Sequence, residues 1–369
     1  MIPRNRRTID LSAIEENMRL IKGTLPAGVR ALAVVKADGY GHGAAETARA
    51  AIRGGADFLA VATEDEGIQL RKAGLDLPIL VLGAVTEGDA LCGTENGLIQ
   101  TVCSPEMVRM CEEAGRKLGK QTEVHLKVDT GMGRIGVRNE AERDATIQAL
   151  NDAPHVKLTG AFTHFSDADG DEEGVAYTRE QFLRFQELIA PLPEGILRHC
   201  ANSAAIHRMP MYALDMVRAG ISLYGYPPVP CDLPLRMCMS WTAKVSYVKE
   251  VPAGCFISYG RTYESGEPRR LATITCGYAD GYHRRATGKA QVLIRGKRFP
   301  VIGRICMDQM MADITGAEEI VPGDEVVLMG QSGDETISAE DLARWSGTIS
   351  YEILTIAGSR VERVFSGKS

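Results

Sequence analysis

Between residues 31 and 225, short β-rich apolar runs alternate with segments of helical periodicity, and this alternation constrains the fold more than any other feature. Eight runs stand out: Ala31 to Lys36, Phe58 to Ala62, Ile79 to Leu82, Ile99 to Cys103, Val124 to Val128, Leu158 to His164, Leu197 to Cys200 and Met216 to Leu223. The first is apolar without alternation, as a parallel strand buried on both faces is. Between the runs lie amphipathic stretches, among them Ala44 to Arg53, Glu64 to Ala73, Pro105 to Leu118 and Thr178 to Ile189. Eight such units predict an α/β fold with an N-terminal (β/α)8 TIM barrel, whose chemistry collects at the carboxyl ends of the strands.

After Tyr226 the texture changes. Pro227, Pro228 and Pro230 give a linker signal, and the runs Ala243 to Val251, Leu271 to Thr275, Gln291 to Ile294, Val301 to Ile305 and Glu325 to Leu328 are separated by Gly, Pro and Asp turns. This predicts a C-terminal mostly-β domain, with residues 1–230 in the barrel and 231–369 in the second domain. Ser338 followed by Asp341 resembles a helix start, and Gly347 closes that short helix.

A chain of 369 residues, 44% hydrophobic and 24% charged, is long enough for two packed domains. It has no stretch of eighteen apolar residues and no signal-peptide core, so a cytoplasmic protein is expected. Nine cysteines without a Cys-x-x-Cys pair point to a reducing compartment, and to neither a disulfide framework nor a zinc site. A formal net charge of −6 gives no electrostatic reason to bind nucleic acid or an anionic membrane.

Lys36 ends the first run and is followed by a loop rich in glycine, Gly39, Gly41 and Gly43. Desolvation at a strand end lowers a lysine pKa and makes the amine a nucleophile suited to Schiff-base chemistry. Local sequence alone is equally compatible with an ordinary strand-end lysine beside a turn. The segment from His125 to Gly136 follows the fifth run and carries Lys127 and Arg134 among glycines, either as a ligand loop or as a tight βα connection with solvated charges. His164 closes the sixth run. Arg218 lies inside the eighth, where an always-charged group needs an acceptor. Asn202 and Ser203, with Gly220 and Ile221, fall at the ends of the seventh and eighth runs, where barrels often bind phosphate; Ala201-Asn202-Ser203-Ala204 also reads as a helix cap.

The segment Lys36-Ala37-Asp38-Gly39-Tyr40-Gly41-His42-Gly43 resembles the pyridoxal-phosphate lysine motif of bacterial alanine racemases, with Asp38 and Gly39 where Asn and Ala are commoner, and the resemblance extends along nearly the whole chain. It implies that Lys36 forms a Schiff base with pyridoxal 5'-phosphate and that Tyr40 contacts the phosphate. Lys127 becomes a candidate for carbamylation, holding Arg134, which is directed at the cofactor's phenolic oxygen and the substrate carboxylate. Arg218 meets the pyridine nitrogen with His164 behind it, and Asn202, Ser203, Gly220 and Ile221 belong to the phosphate site. Ile257-Ser258-Tyr259-Gly260-Arg261 resembles the motif of the second catalytic base, Tyr259. In the family this residue enters from the partner of a homodimer, with Tyr278 at the entrance and Met307, whose backbone N–H meets the substrate carboxylate. Tyr351 shares the phosphate with Tyr40 and narrows the substrate space, which favours alanine over serine. The N-terminal strand, within residues 1–10, is expected to pair with the second domain.

The expected function is interconversion of L- and D-alanine by two bases, supplying D-alanine for peptidoglycan. The alternatives are a serine or broad-specificity racemase of the same family and a non-catalytic cofactor-homeostasis barrel, which would lack residues 231–369. Decarboxylases of similar architecture set an acidic residue where Arg218 stands. Metal-bridging hydrolases with a carbamylated lysine need a His-x-His spacing that the seven histidines never show.

Overall fold

The computed structural model describes residues 4–367. It has two compact units, one from Ala13 to Arg236, the other from Met237 onward together with the residues up to Ser12. The expected boundary after residue 230 therefore moves to Arg236. Buried Asn17 explains the shift: its Nδ2 donates to Leu223 O at 3.1 Å and Arg236 O at 2.8 Å, and Arg236 N donates back to Asn17 Oδ1 at 2.9 Å, which ties the proline-containing segment to the barrel.

Along the chain, β1 (Asn5–Asp10) is followed by β2 (Arg30–Val34), β3 (Phe58–Val61), β4 (Ile79–Ala84), β5 (Ile99–Val102), β6 (Thr122–Lys127), β7 (Val156–Phe162), β8 (Leu197–His199), β9 (Met216–Ala219) and β10 (Met239–Val251). Strands β2 to β9 form one parallel eight-stranded sheet in the order β8-β7-β6-β5-β4-β3-β2-β9. The seam between β8 and β9 is joined by Asp215 N to Arg198 O at 3.1 Å and Arg218 N to Ala201 O at 3.0 Å. Helices run between the strands, among them Ala44–Arg53, Glu64–Lys72, Pro105–Leu118 and Glu172–Ile189. The last begins earlier than its apolar stripe suggests, because Asp171 accepts from Glu173 N and Gly174 N and so caps the start. The eighth run breaks after Ala219: Gly220 turns the chain, and Ile221–Tyr224 is a 3-10 turn rather than strand.

In the other unit, a nine-stranded sheet includes β10 and the strands Arg269–Ile274, Gln291–Ile294, Lys297–Ile302 and Glu325–Ser332. Strand β1 belongs here, antiparallel to β10 with Asn5 opposite Ala243, and parallel to the strand Glu362–Ser366 with Arg6 opposite Glu362. Trp241 is buried and its indole N–H donates to Asn5 Oδ1. The helix Ala339–Ser346 has the capping box of Ser338 and Asp341 and ends at Gly347 in the left-handed region, φ 69°.

Candidate active site

Lys36 leaves β2 into a turn in which Ala37, Asp38, Gly39, Tyr40 and Gly41 all have positive φ, at 51°, 53°, 63°, 51° and 78°. Left-handed backbone costs a non-glycine residue about 1–2 kcal/mol, so such a run persists only where its surroundings fix it. Here Gly39 N donates to Val35 O at 2.8 Å and Gly41 N to Ala37 O at 2.9 Å. Glu66 clamps the turn, accepting from Ala37 N at 2.6 Å through one oxygen and from Ala62 N at 2.7 Å through the other. Asp38 Oδ1 accepts from Ala44 N at 2.9 Å at the start of the next helix. The two departures from the commoner motif thus have local roles, since Asp tolerates the left-handed region and Gly enters it without a Cβ penalty. Burial lowers the pKa of Lys36, the charges of Arg134 and Arg218 lower it further, and Glu66 opposes them.

Arg218, 3% exposed on β9, is surrounded by acceptors. Its Nη1 meets His199 Nδ1 at 2.9 Å, while Nη2 meets Thr163 O at 2.9 Å, Cys200 O at 3.0 Å and His164 Nδ1 at 3.1 Å. Nε has no such partner among the described residues. Burial brings the guanidinium pKa down to about 10, which leaves it charged at neutral pH. The same burial, with the charge of Arg218, holds His164 and His199 well below the ordinary histidine value, so both are neutral. Behind His199 stands His125, driven down to about 3 by burial and then by Arg218. Phe162 stacks on His199 with ring centroids 4.9 Å apart. Gly160 makes room for this layer, because a Cβ there would lie 2.5 Å from His125 Nε2.

Lys127 ends β6, 3% exposed, and its Nζ donates to Val128 O at 2.7 Å. Burial, then the Arg218 charge, lowers its pKa to about 7. The loop after it is pinned at its base by Val137 N to Lys127 O at 3.0 Å and Asp129 N to Val137 O at 2.9 Å. Asp129 Oδ1 gathers the N–H groups of Gly131 and Gly133 at 3.1 and 3.0 Å. Arg134 lies exposed on this loop. The parallel strands thus deliver Lys36, Lys127, His164 and Arg218 to one end of the barrel, where the charge that Arg218 keeps at neutral pH suits an anionic ligand.

Ser203 Oγ accepts from Gly220 N at 2.9 Å and Ser222 N at 3.4 Å, so the Gly220 N–H points at this hydroxyl. A Cβ on Gly220 would sit 3.3 Å from Tyr40 Oη and 3.5 Å from Ser203 Oγ, which shows the convergence of Tyr40, Ser203, Gly220 and the following Ile221. Asn202 is a helix cap: its side chain accepts from Ala205 N at 3.0 Å.

In the other unit, three loops meet. Ser258, with φ 66°, donates from Oγ to Arg304 O at 2.6 Å, and the loop beyond Arg304 accepts Tyr278 N on Cys306 O at 3.0 Å and Ala279 N on Met307 O at 2.9 Å. Gly277 is required there, since a Cβ would lie 2.4 Å from Cys306 O. Tyr259, Tyr278 and Met307 are consequently neighbours in the fold and are 69%, 40% and 53% exposed. Tyr351 lies half-buried in the helix Ser350–Thr355. Sequence reasoning assigned no role to His125, His199 or Glu66; a histidine inside an apolar run was the available signal for the first two. All nine cysteines are free. Among the described residues no cluster could hold a metal ion, and no helix is long and apolar enough to cross a membrane.

Residues 9–228 match the family described as "Alanine racemase, N-terminal domain" and residues 238–365 the one described as "Alanine racemase, C-terminal domain". An alanine racemase of Desulfovibrio desulfuricans is 46% identical over 364 residues, covering 97% of this chain and 96% of the relative. The solved structure of alanine racemase from Bacillus anthracis with bound L-Ala-P superposes with a TM-score of 0.92 at 37% identity, covering 100% of this chain and 96% of that one. A histidine racemase from Leuconostoc mesenteroides gives a TM-score of 0.90 at 29% identity, covering 99% of each chain. With both halves matched in chain order and relatives alike from end to end, the chain belongs to the alanine racemase family of pyridoxal-phosphate-dependent isomerases.

Proposed function

We propose that the protein interconverts L- and D-alanine in the cytoplasm as a homodimer, with pyridoxal 5'-phosphate held in the barrel, and that the D-alanine serves peptidoglycan. The observation that carries this reading is a half-buried lysine of lowered pKa beside a buried arginine whose partners are neutral imidazoles and carbonyls, with no carboxylate among them.

The residues fit the cofactor. The space a Gly220 Cβ would fill, between Tyr40 Oη and Ser203 Oγ, is a cradle of phosphate character, and Arg218 Nε is a donor available to a ring nitrogen. When bound, pyridoxal phosphate supplies an electron-withdrawing ring that acidifies the α C–H of an amino acid. Arg218 stays charged near neutral pH, so it donates a hydrogen bond to the ring nitrogen without surrendering a proton. That weakens electron withdrawal and favours return of a proton to the same carbon over transamination.

Lys36 Nζ exchanges the α-proton on the D side and Tyr259 Oη of the partner exchanges it on the L side, because one base reaches both faces of a planar carbon only with large motion. Arg134 and the partner's Met307 N–H hold the substrate carboxylate, a task suited to a guanidinium fork. Tyr351 joins Tyr40 at the phosphate and its bulk favours a methyl side chain; Tyr278 lines the entrance. Lys127, largely able to shed its proton at a pKa of about 7, adds carbon dioxide: an N–C bond forms, a proton leaves to solvent, and the new carboxylate accepts from Arg134. The exposure of Tyr259, Tyr278 and Met307 supports a dimer in which they face a second copy.

The test is borohydride treatment of the purified holoenzyme with peptide mapping, followed by racemisation assays of alanine and serine side by side. A reduced adduct on Lys36 and faster turnover of alanine are expected. Racemisation by Tyr259→Phe at an undiminished rate in both directions would exclude the two-base assignment.

A further inference from the structure

The barrel carries a cavity of about 310 Å³, bordered by His207, Cys231, Leu25, Ile206 and Val217. That is large enough for a small organic molecule. Cys231 and His207 meet at its wall, with Cys231 Sγ 3.3 Å from His207 Nδ1. The other ring nitrogen, Nε2, lies 2.9 Å from the buried Ser222 Oγ. In the tautomer whose Nε2–H donates to that hydroxyl, Nδ1 is left as an acceptor for the thiol proton. A base fixed on its far side and a thiol on its near side form the arrangement that activates a cysteine nucleophile.

Other half-buried cysteines lack this feature. Cys255 Sγ points to Phe256 O at 3.8 Å and Cys103 Sγ to Met107 Sδ at 3.6 Å, neither of which can take a proton at neutral pH. The pair plays no part in the proton transfers assigned to Lys36 and Tyr259. It nevertheless stands close behind the phosphate cradle, because Ser222 N is directed at Ser203 Oγ at 3.4 Å.

We propose that Cys231 and His207 form a thiol-modification site whose cavity accepts a low-molecular-weight disulfide. His207 Nδ1 takes the thiol proton, and the Cys231 thiolate attacks one sulfur of the disulfide. A new S–S bond forms at Cys231, the original S–S bond breaks, and the departing thiolate leaves as a thiol with the proton returned by His207. The Cys231 sulfur is oxidised and the released sulfur reduced, so one small thiol appears for each adduct.

The holoenzyme, treated with cystamine at neutral pH, tests this by peptide mass spectrometry of the rate at each cysteine. Cys231 is expected to react about tenfold or more faster than Cys255, with one cysteamine released per adduct, and reduction should reverse it. In His207→Gln, the Cys231 rate should fall to that of Cys255 while the Cys255 rate holds, which separates loss of the base from loosening of the fold. Equal rates at Cys231 and Cys255 in the unaltered protein, or a Cys231 rate indifferent to His207→Gln, would overturn the proposal. Should that variant fail to fold, the comparison within the unaltered protein decides the matter.

Discussion

Nδ1 of His125 lies 3.0 Å from Nε2 of His199, so the arginine at the centre of the barrel is backed by two imidazoles in series rather than by an acid. Burial, together with the neighbouring positive charge, holds both rings neutral, and neutral rings can accept from a guanidinium. The arrangement keeps positive charge on Arg218 without a counter-ion that could protonate a ligand.

The first prediction concerns that fork. In Arg218→Lys, a single ammonium cannot reach Thr163 O, Cys200 O, His199 Nδ1 and His164 Nδ1 together. At least one buried acceptor loses its partner, at about 1–3 kcal/mol. Thermal unfolding should move down by about 5 °C. Racemisation should fall on the order of a hundredfold, as when a fixed donor is removed from a reacting site.

Lys127 gives a pH dependence with a definite sign. Its pKa in the fold is about 7 against an ordinary 10.5, so between these values the unfolded chain binds more protons and stability rises with pH. In buffer free of carbon dioxide, urea unfolding of the unaltered protein and of Lys127→Met should diverge in favour of the former as pH climbs from about 7 to 10. With carbon-13 bicarbonate present, a carbamate resonance should appear by NMR and be absent from Lys127→Met.

A mixing experiment addresses the dimer. Lys36→Ala and Tyr259→Phe homodimers, each with little activity, should recover about a quarter of normal activity when their chains are randomly exchanged, since half the dimers are mixed and each has one intact site. If each site drew both bases from one chain, every site would keep a lesion and nothing would recover.

Two glycines should behave differently on conversion to alanine. Gly160→Ala drives a Cβ to 2.5 Å from His125 Nε2 and should cost about 2 kcal/mol in denaturant unfolding. Gly220→Ala places its methyl 3.3 Å from Tyr40 Oη, where the fold can adjust by a few tenths of an ångström. Its stability should change by less than about 1 kcal/mol, while cofactor dissociation, followed by absorbance, rises about tenfold because the anion space is filled.

The barrel was legible because strands covered on both faces leave uninterrupted apolar runs, and these named the eight strands to within a few residues. Lys36 and Arg218 stood out by incongruity, charges where the pattern demanded apolar groups. His125 and His199 did not, since their meaning lies in contacts across the barrel between β6, β8 and β9 that no local window contains. The left-handed turn from Ala37 to Gly41 left only its glycines as a trace; its clamp, Glu66, comes from a different helix. Gly220 looked like part of a strand and proved to be where strand ends. Tyr259, Tyr278 and Met307 were reached by likeness to relatives, because an exposed tyrosine in a β-rich region has no periodicity to betray it.

The pairing of β1 with the strand Glu362–Ser366 has a consequence for biosynthesis. β1 is translated before the barrel, whereas the two strands that flank it, β10 and Glu362–Ser366, both follow the barrel in the chain. During that interval β1 presents bare amide and carbonyl edges; β10 covers one of them, and early termination before residue 362 should leave the other as a template for aggregation rather than a merely shortened enzyme.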